Sequence, residues 1–237
     1  QAFSFDGAPE SPAPELPPEE PPKDRLQEIL EQYQVSEDPE GLKDWEPPWP
    51  LSLATDPTSV TAGEGKILDQ LNPIGMYNMN EIKQDATEEA KRRFPPPPGP
   101  EGSNQEIDNQ TDAFRHAYWN ALMTQKFGED WTRNFATAHE RRPDNYATSE
   151  AMDLYNNEIG RGIAVNNPNA SPKELADLVQ RAVSNGQMVV INGDGTKLLW
   201  SNQQAGAPGI SANSAPVPGT TPNLPPARPD FPYGRVG

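Results

Sequence analysis

His116 and His139 are the only two imidazoles in a chain of 237 residues that has no cysteine. Asp112 and His116 stand four apart, with Asn120 four further on, so on a helix all three share one face. A carboxylate and an imidazole at that spacing can ligate a metal together, or the carboxylate can orient the ring and favour its protonated form. His139 shares a helical stripe with Trp131 and Phe135, which aims it inward, and Glu140 follows it directly. Asp153 and Asn157 repeat the spacing of four beside Asn156, Glu158 and Arg161. Antiparallel packing of three such helices would bring Asp112, His116, His139 and Asp153 or Asn157 to one buried polar centre. Those donors suit a divalent metal such as zinc, manganese or iron, and an open coordination position would activate water for hydrolysis.

Two other readings stay open beside that one. Without a cation, His116 oriented by Asp112 would serve as general base, with His139 or Glu140 as acid. In a purely structural reading, Asp112–His116, Asn120, Asn156, Asn157 and Arg161 tie helices together, and Arg115, Glu158 and Arg161 are surface ion pairs.

The elements that must position these groups are mostly helices. Leu26, Ile29, Leu30 and Tyr33 make a short amphipathic helix of 24–34 inside an arm, and Trp45 and Trp49 stand among its prolines. A short helix in GEGKILDQLNP is expected to stop at Pro73, and a longer one spans 80–94. Gly63-Glu64-Gly65 reads as no more than a turn. Ser103 with Glu106 has capping-box spacing for a helix running to 126 or 127, with a start near Thr111 as the alternative. Helices follow over about 129–142 and 149–165. Ser171, Pro172 and Glu174 then open a helix that Gly186 closes. QMVVI and TKLLWS around Asn192-Gly193-Asp194-Gly195 make a β-hairpin.

Several signatures are excluded by their own spacing. HERRP at 139–143 lacks a zincin's second histidine, and Pro143 ends the helix where it would sit. There is no GxSxG elbow, P-loop or GxGxxG, and NGDG lacks the acidic series of a calcium loop. Arg141 and Arg142 suit a helix C-terminus.

The net charge of −16 repels phosphate backbones and anionic bilayers, and with no dense Lys/Arg cluster the expectation is no nucleic-acid partner. No stretch of about 20 apolar residues could cross a bilayer. Residues 1–50 hold 11 of the 29 prolines and 13 acidic against 3 basic side chains, an extended acidic arm. Residues 202–237 hold eight prolines without periodicity and are expected to be a disordered tail. The start at Gln1 rather than Met suggests the mature form of an exported protein.

The strings TDAFRHAYWNALMTQKFGEDWTRNFATAHE (111–140) and EAMDLYNNEIGRGIA (150–164), with the capped helix and VVINGDG after them, resemble a bacterial family of unknown function. That family occurs in exported Gram-positive proteins and as toxin-like C-terminal modules. The likeness covers about 103–201 and implies a secreted or cell-envelope setting. It places Asp112, Arg115, His116, Trp119, Asn120, His139, Glu140, Asp153, Asn156, Asn157, Glu158 and Arg161 at the family's characteristic positions and carries no established activity.

The expected fold is mainly α. A helical domain of five to six helices over 58–201 ends in a β-hairpin, flanked by an N-terminal arm (1–57) and a tail (202–237). The expected function is a secreted hydrolase of phosphodiester, phospholipid or cell-wall substrates, using Asp112, His116, His139 and Asp153 with or without a metal. Its rival is a non-catalytic envelope or assembly protein that binds a protein partner through 1–57 and 202–237.

Overall fold

The structure, a computed structural model, describes residues 24–216, so the beginning of the arm and the end of the tail lie outside the described residues. α1 (Arg25–Gln32) forms where the apolar spacing predicts it and seals Ile29 against the core, together with Tyr33 and Val35. β1 (Leu42–Trp45) pairs antiparallel with β2 (Thr58–Thr61), a hairpin hidden from the sequence because the prolines of its long connection suggest polyproline. Thr61 and Glu64 form a reciprocal capping box that opens α2 (Ala62–Leu68), so Gly63-Glu64-Gly65 is helix and not a turn. Pro73 does not terminate a helix but starts α3 (Pro73–Arg93), seven residues before the expected start, at the first-turn position where its missing N–H costs nothing.

α4 (Gln110–Phe127) begins after an Asn109 cap. The Ser103–Glu106 box does not form, because the Ser103 hydroxyl donates to the Pro100 carbonyl instead. α5 (Glu129–Glu140) and α6 (Ala147–Asn166) follow, then α7 (Pro172–Ser184), which carries the expected Ser171–Glu174 box. β3 (Val189–Ile191) pairs with β4 (Leu198–Trp200) as the closing hairpin. Among the described residues there are thus seven α-helices, six of them in the expected domain, and none is long and apolar enough to cross a membrane.

α4 and α6 are the two central helices, and they run parallel. His116 meets Asn157 and Asn120 meets Arg161 at one constant offset of 41 residues, the same offset that separates Asp112 from Asp153. The antiparallel arrangement of three helices therefore holds only for α5, which returns between them. Close approach depends on Gly160, whose missing Cβ would lie 2.0 Å from the Ala117 carbonyl oxygen.

Both flanking segments pack on this pair. Tyr33 donates its hydroxyl to Glu158 at 2.9 Å, and the Val35 amide donates to Glu150 at 2.6 Å. Composition assigns residues 202–216 to the tail, yet they lie against the domain, with a 3-10 turn at Ile210–Asn213 and a bridge from Pro216 to Tyr146.

The Glu150 anchor makes stability depend on pH. Burial pushes its carboxyl up to about 9, although the Val35 amide pulls it down. A folded pKa above the unfolded one gives stability that is complete at acid pH and is lost as pH rises toward that folded value. Glu150→Gln keeps an oxygen for Val35 and removes the ionisation. It should flatten the fall in Tm between about pH 5 and pH 9 relative to the parent. Equal slopes in the two proteins would show that the carboxyl is not held neutral.

Candidate functional site

At the start of α4 the Asn109 side chain accepts the Asp112 amide N–H, and the Asp108 amide N–H donates to Asp112 Oδ2 at 2.8 Å. Asp112 Oδ1 accepts from Arg115 and faces His116 one turn on, 3.4 Å from Nε2. On α6, Asp153 Oδ1 lies 3.5 Å from the same nitrogen. One donor atom each from Asp112, His116 and Asp153 falls within 4.8 Å of the others. Their side chains keep only 4, 9 and 12% of their surface, so the centre is nearly sealed from solvent.

Hydrogen bonds deeper in the α4–α6 seam assign the protons on His116. Arg161 can only donate, and its Nη1 gives to Asn120 Oδ1 at 2.9 Å. The Asn120 amide nitrogen then donates to the His116 carbonyl at 2.9 Å and to Asn157 Oδ1 at 2.8 Å. Asn157 Oδ1, an acceptor, lies 3.1 Å from His116 Nδ1, so Nδ1 carries the hydrogen. Nε2 is therefore an unprotonated lone pair aimed between two carboxylate oxygens. Lone pairs in that arrangement repel unless a proton or a cation lies among them.

The charge balance points the same way. Burial raises Asp112, although Arg115 opposes it, and drives Asp153 well above the usual carboxylate range, with Glu140 and Asp112 adding to the effect. Glu140, whose Oε1 is 3.7 Å from His116 Nδ1, is pushed up to about 7 by burial. His116 is held well below its ordinary value by burial and then by Arg115, which keeps the ring neutral and able to ligate. Three acids thus face one bonded guanidinium. Asp153 Oδ1 and Glu140 Oε1 are buried with no hydrogen-bond partner among the described residues. A divalent cation would satisfy Asp153 and balance the charge.

The other expected site residues divide. His139 is not in the ligand group: its Nδ1 bonds Glu64 at 2.9 Å, and its ring packs edge-on against Trp119, 5.3 Å between centroids. Burial works against its charge, but the bond and charge of Glu64 outweigh burial and raise it, while Glu64 is lowered. Glu140 lies at the N–H edge of His116, where an outer carboxylate would hold a ligating ring. Asn156 pairs both ways with the Val189 backbone, at 2.9 and 3.0 Å, and so fixes β3 to α6. Glu158 anchors Tyr33, and neither it nor Arg161 is a surface charge, at 4 and 2% exposure. Arg141 holds the arm through the Ser36 carbonyl, and Arg142 donates to the Ser59 carbonyl in β2. A cavity of about 220 Å³ between α3 and α7 is lined by none of these residues.

Sequence reasoning missed Glu64, Asp108 and the register. The Thr61-x-x-Glu64 box was readable, and so were the paired spacings Asp112/His116/Asn120 and Asp153/Asn157/Arg161, two series of four that match across parallel helices. Asp108 gave no signal.

Residues 66–187 match the model of a family described as a domain of unknown function (DUF6973). No curated protein and no solved structure matches the chain.

Proposed function

Because the chain belongs to the DUF6973 family, whose function is unknown, we propose its activity from the centre itself: a divalent-cation site that hydrolyses its substrate. The carrying observation is the unprotonated His116 Nε2 placed 3.4 and 3.5 Å from Asp112 and Asp153 oxygens. Asp112 Oδ1, His116 Nε2 and Asp153 Oδ1 are the ligands, and their mixed imidazole and carboxylate chemistry suits zinc, manganese or iron. Bound there, the cation would lower the pKa of a coordinated water and polarise the scissile group. Asn157 holds the ring through Nδ1, and a Glu140 oxygen lies 3.7 Å from the same nitrogen. Arg115, a quarter exposed beside Asp112, offers a guanidinium to an anionic substrate group. Phosphodiester, phospholipid and cell-wall substrates all fit that description, and the likeness of the motif strings to exported proteins supports a secreted setting.

The small exposure of the ligands favours a second reading, a structural cation in a non-catalytic assembly protein. Elemental analysis of the purified chain, with hydrolysis of a bis-p-nitrophenyl phosphate probe and of purified cell wall, separates the two. His116→Gln is expected to lose both metal and turnover. Metal without turnover on any probe supports the structural cation, and the absence of metal after incubation with zinc, manganese and iron overturns both readings.

A further inference from the structure

Asp108 has a φ of +67°, in the left-handed region that few residues other than glycine adopt, and it is 2% exposed. Such a backbone persists only where its surroundings over-determine it, and here they do. Its N–H donates to Asp112 Oδ2 at 2.8 Å, its carbonyl accepts from Ile191 at 3.3 Å, and its Oδ2 accepts the Ser211 N–H at 3.0 Å. Asp112 Oδ2 is thereby engaged, and Oδ1 is left facing His116.

Ser211 belongs to a segment that also grips the start of α6. Thr148 Oγ1 lies 3.0 Å from Ser214 Oγ, and the Ala147 N–H donates to the Ala215 carbonyl at 2.9 Å. Tyr146 and Pro216 form a bridge beside them. A single stretch, residues 209–216, is therefore bonded to the beginning of both parallel helices. One helix carries Asp112 and His116, and the other carries Asp153. The separation of those two helix starts decides whether ligand atoms now within 4.8 Å can all reach one cation at about 2.0–2.2 Å.

We propose that residues 209–216 form a clamp that presets the metal centre, with Asp108 as the positioning residue that carries its hold to Asp112. The proposal rests on the divalent-cation reading and adds to it a control: loosening this segment loosens the metal. The clamp lies beyond the family match, which ends at residue 187. The functional unit of this chain is accordingly larger than the matched domain.

The test is zinc titration by calorimetry on the full chain, with circular dichroism and melting of each metal-free variant as the control for folding. Asp108→Asn retains an acceptor for Ser211 and tolerates the left-handed backbone, so it should bind zinc within a few-fold of the parent. Asp108→Ala should weaken binding by roughly tenfold or more, the scale of an outer-shell loss. Ser211→Pro deletes the N–H and the hydroxyl that Ser211 offers Asp108, both outside the ligand group, and should weaken it comparably. A parent that takes up none of zinc, manganese and iron overturns the cation reading and the clamp with it. A parent that binds, with Asp108→Ala and Ser211→Pro folded and unchanged, overturns the clamp alone. An Asp108→Asn variant as weak as the alanine variant also overturns it, since charge rather than the hold on Ser211 would then be at work.

Discussion

Asp153→Asn should abolish cation uptake and at the same time raise the Tm of the metal-free protein. The two effects have one cause. Asp153 is buried on α6, its Oδ1 has no hydrogen-bond partner among the described residues, and its ionisation is opposed by burial, by Glu140 and by Asp112. In the metal-free chain this carboxyl must hold a proton that the unfolded chain would release. That costs about 1.4 kcal/mol for each pH unit between its unfolded pKa and the working pH. Asparagine has the shape of the protonated acid and no such cost. The variant should therefore melt above its metal-free parent at neutral pH, and the difference should widen as pH rises above the ordinary carboxylate range. Asparagine is a poor replacement for a charged ligand, so the variant should gain no stability from zinc, whereas the parent gains about 2.7 kcal/mol at a concentration 100 times its Kd. Melting curves of both proteins with and without zinc measure all of this. A metal-free Asp153→Asn protein that melts below its parent would mean that Arg115 already compensates the carboxylate, and the argument for a missing cation would fail.

The same proton balance predicts how the metal competes. Asp112, Asp153 and Glu140 all sit above their ordinary values, so their proton uptake protects the metal-free fold at acid pH and fades as pH rises. A cation displaces protons from Asp112 and Asp153, so its stabilisation should grow over the range in which the metal-free chain weakens. With a cation bound, the centre would trade proton stabilisation for cation stabilisation within one cluster.

The helical class, the Ser171–Glu174 cap and the closing hairpin were legible because each follows from local chemistry: spacing, capping and turn residues over a few positions. Asp112, His116 and Asp153 were legible as side chains of the right type on the right faces. Their mutual placement was not, because it depends on the direction of α6 relative to α4, which no local propensity encodes. Reading the helices as antiparallel drew His139 into the ligand group. In the parallel arrangement α5 brings Glu140 to the Nδ1 edge of His116, and His139 turns to Glu64 on α2. The role of 209–216 was hidden for another reason. Its glycines, serines and prolines resemble a linker, yet its backbone groups and serine hydroxyls are what bind it to Asp108 and to the start of α6.

Gly160→Ala is the substitution that tests the α4–α6 arrangement most severely. In an isolated helix the change would be favourable by about 1 kcal/mol, since alanine loses less backbone entropy than glycine. Here the new Cβ would stand 2.0 Å from the Ala117 oxygen and 2.7 Å from both its carbonyl carbon and its Cα. All three are backbone atoms, so no rotamer change relieves the overlap and the helices must part. Overpacking of this kind costs about 1–3 kcal/mol or more. Parting the helices also stretches the Asn120–Arg161 and His116–Asn157 bonds, each worth about 1 kcal/mol or more where the groups stay buried. The overlap therefore outweighs the propensity gain, and a net loss of about 2–4 kcal/mol, roughly 5–15 °C in Tm, is expected. Since Asp112 and His116 ride on one helix and Asp153 on the other, zinc affinity should fall well beyond what the loss of stability explains. A Gly160→Ala protein with unchanged Tm and unchanged zinc affinity would show that α4 and α6 do not meet at Ala117, and the matched register of two carboxylates around one imidazole would go with it.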